Sequence, residues 1–181
     1  SDSDISNSAQ KGLSAYRSIV TAMGTKIQNS GHYAISCAGG STIIIQERNG
    51  KKVDLSGSHY GIEVVNGNVI ATGAIIRDVT LTAINAFTGI VDVENADISN
   101  CGLNGIFSYN SRVNAKNATI AMLAGSEVGI RAEGSSTVEA NGATITNAGI
   151  RGIMCRESSI VNIMNGSVAG SLETDLYIQN S

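Results

Sequence analysis

The sequence predicts an all-β chain, folded as a right-handed single-stranded parallel β-helix of about seven turns with three short strands in each. Three observations predict it. Apolar residues recur in columns every 22 to 24 residues along almost all of the 181-residue chain, apart from one longer step. A ten-residue phrase, DISNSAQKGL at 4–13, returns as DISNCGLNGI at 97–106. The composition, with 21 Gly, no Pro and abundant Asn, Ser, Thr, Val and Ile, describes short strands joined by tight turns and speaks against a helical protein.

In chain order, each turn opens on a column made of Ile5, Ile27, Leu55, Ile76, Ile98, Ile120, Ile145 and Val168. Two residues earlier stand small residues such as Thr25, Ala74, Ala96, Ala118, Ala143 and Gly166. Two residues later stand Asn7, Asn29, Asp78, Asn100 and Asn147, which suit corners that need left-handed backbone angles and can hydrogen-bond from turn to turn. The middle column follows at Leu13, Ile35, Ile62, Ile84, Ile106, Ile130, Ile153 and Leu176. Gly12, Ala34, Gly61, Ala83, Gly105, Gly129 and Gly152 precede it, where a bulky side chain would collide with the turn above. The closing column, Val20, Ile43, Val69, Val91, Val113, Val138 and Val161, is almost entirely β-branched.

Such turns stack about 4.8 Å apart, and inward residues form continuous ladders. Each buried Val or Ile contributes roughly 1.5–3 kcal/mol, which offsets the entropy of the loops only when several turns stack. A leucine-rich repeat has a similar period but needs an L-x-x-L-x-L signature that is missing. Ala9, Leu13, Tyr16, Val20, Met23 and Ile27 also fall at coiled-coil spacing. That run contains Gly12 and Gly24, each costing about 1 kcal/mol in a helix, and its KGLSAYRSIV aligns without a gap to NGIFSYNSRV at 104–113. The repeat therefore outweighs the helix.

One turn breaks the rhythm. Between Ile43 and Ile62 the segment IIIQERNGKKVDL carries Asn49-Gly50 between strand-like flanks, the signal of a tight hairpin turn. A hairpin-like loop is expected to protrude at 46–52, with Glu47, Arg48, Lys51 and Lys52 in solvent.

The net charge of −3, with 15% charged residues and no basic run, gives no footprint for nucleic acid or an anionic membrane. No stretch approaches the roughly 18 apolar residues of a membrane span, so no membrane insertion is expected. The start, SDSDISNSAQ, has no features of a signal peptide. Residues 1–181 read as one domain that begins in mid-turn without an initiating Met and shows no capping helix, which points to a piece of a longer chain. Cys37, Cys101 and Cys155 lack CxxC or Cys/His clustering and read as buried fillers, and His32 and His59 read as isolated. No metal or other cofactor is expected.

Strand alternation assigns two outward faces. Beside the middle column, Phe87, Phe107 and Tyr109 cluster on adjacent turns, although the chain has only five Tyr and two Phe. With Arg131, Glu133 and Arg156 on the following turns they form a candidate glycan-binding face: rings stack sugars, and charged groups bind hydroxyls. Beside the closing column, Ile19, Ile44, Ile70, Ile90 and Ile160 form an apolar stripe of the kind that marks an interface. Asp92 and Glu94 share that face near Asn114, Lys116 and Glu139, and such a pair is the candidate acid and base for glycan cleavage if its carboxyls lie roughly 5–9.5 Å apart. No phosphate-cradling loop, nucleophile elbow or calcium nonapeptide repeat is present.

The repeat over nearly all of the chain, turns such as EANGATITNAG and the closing TDLYIQNS resemble the β-helical tailspikes and tail fibres of bacteriophages, related in fold to pectate-lyase-like proteins. The resemblance implies a homotrimer on the virion tail that recognises, and in many relatives depolymerises, host surface polysaccharide. No catalytic motif carries over residue by residue, so enzymatic activity stays open. The alternatives are a structural trimeric shaft without ligand and a secreted pectate-lyase-like enzyme, which would want a calcium-binding acidic cluster that the sequence does not display.

Overall fold

The computed structural model describes residues 4–179. Residues 1–3 and the Asn180 and Ser181 that close TDLYIQNS lie outside the described residues. The first turn consists of β1 (Asp4–Ser6), β2 (Lys11–Tyr16) and β3 (Ile19–Met23). Each pairs in parallel with its counterpart one turn on, and the repetition builds three sheets. Sheet A runs from β1 to Ser167–Ala169, sheet B from β2 to Thr174–Gln179, and sheet C from β3 to Ile160–Asn162. Sheets A and B hold eight strands each and sheet C seven, which makes a solenoid of about eight turns.

The three apolar columns are the three inward ladders. Ile84 pairs with Ile62 and Ile106 in sheet B, Val91 with Val69 and Val113 in sheet C, and Ile76 with Leu55 and Ile98 in sheet A. Most of these residues are fully buried in one continuous core, whereas Ile5, Leu13, Val20, Val161 and Val168 near the two described ends are only partly covered. Residues 9–27, the helix alternative, form strands, since β2 and β3 are followed by Lys26–Gln28. The glycine column is close-packed for the reason expected: a Cβ on Gly105 would lie 2.6 Å from both the Gly129 carbonyl oxygen and the Ile120 side chain.

Polar side chains turn the corners. Asn29 (φ 53°) and Asn100 (φ 55°) occupy the left-handed region between sheets A and B. The Asn29 amide donates to Asn7 Oδ1 at 3.3 Å and that of Asn100 to Asp78 Oδ1 at 2.9 Å. Between sheets B and C, serine hydroxyls do two jobs. Ser111 Oγ donates to the Tyr109 carbonyl at 2.9 Å and accepts from the Gly89 N–H of the turn before at 3.1 Å. The Ser111 N–H is in turn taken by Ser136 Oγ at 3.2 Å, so buried amides are satisfied one turn at a time.

The irregular turn projects as a two-residue hairpin. Arg48 and Lys51 exchange backbone hydrogen bonds of 3.1 and 3.0 Å, and Asn49 (φ 53°) and Gly50 (φ 76°) both take the left-handed angles of a type I′ turn. All three cysteines are free and buried, and burial pushes their thiols up, that of Cys101 to about 12, which keeps them in the unreactive protonated form. No helix of the described residues is long and apolar enough to cross a membrane.

Candidate functional site

Sheet B carries the longest outward surface, because nearly all its strands span six residues and therefore present two outward columns beside the inward one. One outward column runs Asn85, Phe107, Arg131, Met154 and Tyr177, and the next aligns Phe87, Tyr109 and Glu133. Phe87 meets Phe107 edge-on at a centroid separation of 5.5 Å and Tyr109 at 6.3 Å. The Arg131 guanidinium sits 5.3 Å above the Phe107 ring and donates from Nε to Glu133 Oε1 at 2.9 Å. Arg156 approaches the same oxygen at 3.8 Å. The expected residues are thus one connected ridge.

Three of them are less open than strand alternation alone implies. Glu133 is only 9% exposed, since its carboxylate is enclosed by the two guanidiniums it pairs, so it positions Arg131 and Arg156 and does not face solvent as a sugar contact. Phe87 and Phe107 are half-buried against each other, which leaves Tyr109, 38% exposed, as the most open ring of the three. Tyr177 extends the ridge, with the Arg151 guanidinium 4.3 Å from its ring centroid and that of Arg156 at 5.6 Å. Sequence alternation alone did not mark Arg151, which precedes the inward Ile153 by two residues.

Directly beside the ridge, the corner between sheets B and C forms a polar groove of about 530 Å³. Phe87 and Tyr109 lead into its residues Thr88 and Asn110, while Asn68, Ile90 and Arg112 stand on the far side at the start of sheet C. Gly67, Gly89 and Ser111 line it too; a Cβ on Gly89 would collide with the Val64 side chain, so the glycines let this corner pack closely on the core.

The isoleucine stripe is two columns. Ile19, Ile90 and Ile160 share one column but are separated by Thr42, Asn68, Arg112 and Thr137. Ile44 and Ile70 belong to the neighbouring column, which continues into Asp92, Asn114 and Glu139. A continuous apolar stripe was the wrong description, because residues two apart on one strand share a face without sharing a column. Ile19 at 79%, Ile160 at 54% and Ile90 at 52% are nevertheless well exposed.

Asp92 and Glu94 are tied together by a neighbour. The Asn114 amide donates to Asp92 Oδ1 at 3.1 Å and to Glu94 Oε2 at 3.2 Å, and the Glu94 N–H donates to the same Asp92 oxygen at 3.1 Å. Asn162 holds Glu139 in the same manner at 2.7 Å. Chemically this is a brace between turns, and neither acid lines the corner groove.

A second aromatic group lies on the early turns of sheet B. Tyr33 stacks on Tyr60 with centroids 5.1 Å apart, and the His32 and His59 rings come within 6.0 Å, so the histidines are not isolated. Lys11 lies 5.5 Å from the Tyr33 centroid and donates to Ser36 Oγ, which donates to Glu63 at 3.2 Å. Burial, and then the hydrogen bond to Glu63, push the Tyr33 hydroxyl up to about 12. The signal was a repeated dipeptide, GHYAIS and SHYGIE.

Among the described residues, no group of three or more His, Cys, Asp or Glu side chains is arranged to hold a metal ion. A family model described as a right handed beta helix region matches residues 12–169. No curated protein and no solved structure matches the chain.

Proposed function

This chain belongs to the right-handed β-helix family, and we propose that it is a polysaccharide-recognition module that reads sugar along the outward face of sheet B. One observation carries the reading: an aromatic ridge ending in the exposed Tyr109 borders a polar groove of about 530 Å³. Sugar rings offer C–H faces to aromatic rings and hydroxyls to amides and guanidiniums, and both sets of partners stand side by side here. Tyr109, Phe87 and Phe107 supply ring faces, Arg131 and Arg156 supply donors, and Glu133 fixes those two guanidiniums in place.

The resemblance to phage tailspikes and tail fibres supplies the finer part of the proposal, a homotrimer on the virion tail that engages host cell-surface polysaccharide. Ile19, Ile90 and Ile160, with Ile70 in the neighbouring column, are its trimer contacts in this reading, since they are among the exposed apolar groups of sheet C. Titration of the intact protein with host polysaccharide tests the reading. Binding that weakens in Tyr109→Ala supports it, and a wild type that binds no glycan makes the chain a spacer. Sedimentation is expected to show a trimer that Ile90→Asp weakens, and an unchanged monomer would remove that part alone.

A further inference from the structure

The chain's two histidines stand one above the other at the corner where sheet A turns into sheet B. Each immediately precedes a strand of sheet B, His32 before Tyr33–Ala38 and His59 before Tyr60–Val65, and the pairing of Tyr33 with Tyr60 sets them on successive turns. Backbone hydrogen bonds hold both rungs. The His32 N–H donates to the Gln10 carbonyl at 2.7 Å, the Tyr60 N–H to the His32 carbonyl at 2.9 Å, and the Leu81 N–H to the His59 carbonyl at 2.9 Å. On this fixed corner the two imidazoles are exposed, with ring centroids 6.0 Å apart and planes inclined by 33°. Tyr33 meets the His32 ring edge-on at 4.3 Å and Tyr60 lies 5.6 Å from it, so that imidazole is confined on its sheet B side. The rungs on either side, Gln10 and Leu81, bring no charged side chain to the column.

We propose that this pair is a surface chelate for a divalent transition-metal ion, with Cu(II) held most tightly. Metal–nitrogen bonds of about 2.0–2.1 Å to one ion place two imidazole centroids roughly 5–6 Å apart, so the observed spacing closes with small side-chain rotations. Imidazole nitrogen suits Cu, Ni and Zn, whereas Ca and Mg want oxygen, and the divalent series places Cu(II) highest. No group of three or more His, Cys, Asp or Glu among the described residues is arranged to hold a metal ion, so water completes the coordination around the two imidazoles. Such an ion keeps exchangeable positions open to solvent. The pair is separate from the polysaccharide site, because it lies at the start of the sheet B strands and the polar groove lies at the corner into sheet C.

The test titrates the intact protein with Cu(II), Zn(II) and Ca(II) in turn, by calorimetry and, for Cu(II), by electron paramagnetic resonance. One Cu(II) per chain is expected, with nitrogen splitting from both imidazoles, while Zn(II) is expected to bind more weakly and Ca(II) not at all. His32→Ala and His59→Ala each leave one imidazole in place, and each is expected to lower the Cu(II) affinity by about tenfold or more, since a chelate loses its second attachment. The double variant is expected to lose the site. Both side chains are exposed, so unchanged melting confirms that the variants fold, and Tyr109→Ala is expected to take up Cu(II) as the wild type does. A single variant that binds Cu(II) as tightly as the wild type, a spectrum with one imidazole nitrogen, equal affinity for Ca(II), or no difference between the wild type and the double variant would each overturn the proposal.

Discussion

Sheets B and C are built from the same stacking rule, yet their outward faces end up in opposite chemical states. On sheet B the strands are long, and their outward side chains include rings that hydrogen bonds cannot saturate, so Tyr109 and the adjoining groove keep free surface. On sheet C most strands have three residues, and the outward acids are consumed by amides one turn away, as Asn114 consumes Asp92 and Glu94. In a stack, an outward polar group is available to a ligand only if its neighbour 22 or so residues along the chain leaves it unpaired. Composition of a face is therefore a poor guide to its chemistry; the pairing between turns decides it.

The comparison rests on strand register, and the largest expected effect tests that register directly. Ile106 is fully buried while Phe107, the next residue, points outward against Phe87 and Arg131. Ile106→Ala is expected to cost roughly 2–5 kcal/mol of stability in denaturant melts. Phe107→Ala is expected to cost about 1 kcal/mol, because it gives up ring contacts at a half-covered site. Equal costs would mean that inside and outside have been exchanged and would dissolve both faces at once. On sheet B itself, Tyr109→Ala should leave the melt nearly unchanged but weaken glycan binding by about 0.5–1.5 kcal/mol. Loss of stability without loss of binding would make Tyr109 a packing residue like those of sheet C.

The inward half of the molecule was legible because one physical rule governs it. Side chains alternate with period two and turns repeat near 23 residues, so Leu13, Ile35 and Ile62 had to stack, and they do. The corner residues Asn7, Asn29, Asp78 and Asn100 were legible too, since few residue types accept their backbone angles. Outward chemistry was less so. The enclosure of Glu133 depends on Arg131 and Arg156 reaching one oxygen from two turns, and no local pattern shows that. Ile44 and Ile70 belong to another column than Ile19, whereas the stacking of Tyr33 on Tyr60 follows from the register that Ile35 and Ile62 already set.

That tyrosine pair sharpens the comparison from within sheet B, because the Tyr33 hydroxyl is hydrogen-bonded to Glu63. Tyr33 has its hydroxyl raised to about 12, above the ordinary value of 10.0 that the unfolded chain restores. The folded state therefore favours the protonated form: this contribution to stability is fully present below pH about 10 and is lost as pH rises through about 12. Ultraviolet titration should show one tyrosine ionising late, and Tyr33→Phe should remove it and flatten the alkaline loss of stability. A tyrosine spectrum in which all five residues ionise near 10 would place Tyr33 with the open rings instead.

The smallest expected effect falls on sheet C. Asp92 Oδ1 accepts from the Asn114 amide and from the Glu94 N–H, both at 3.1 Å. An asparagine at this position keeps an acceptor oxygen in the same place, so Asp92→Asn preserves the brace and should change stability by less than about 0.5 kcal/mol. Asp92→Ala removes the acceptor and should cost about 0.5–1.5 kcal/mol. If the intact protein shortens host polysaccharide, Asp92→Asn should shorten it equally well, because a carboxylate acting as acid or base cannot be replaced by an amide whereas a carboxylate acting as a brace can. Chain-length analysis of the polysaccharide after incubation with each variant separates the two roles. Loss of cleavage in Asp92→Asn, with the melt unmoved, would return the catalytic function to Asp92 and Glu94 and make sheet C, not sheet B, the reactive face.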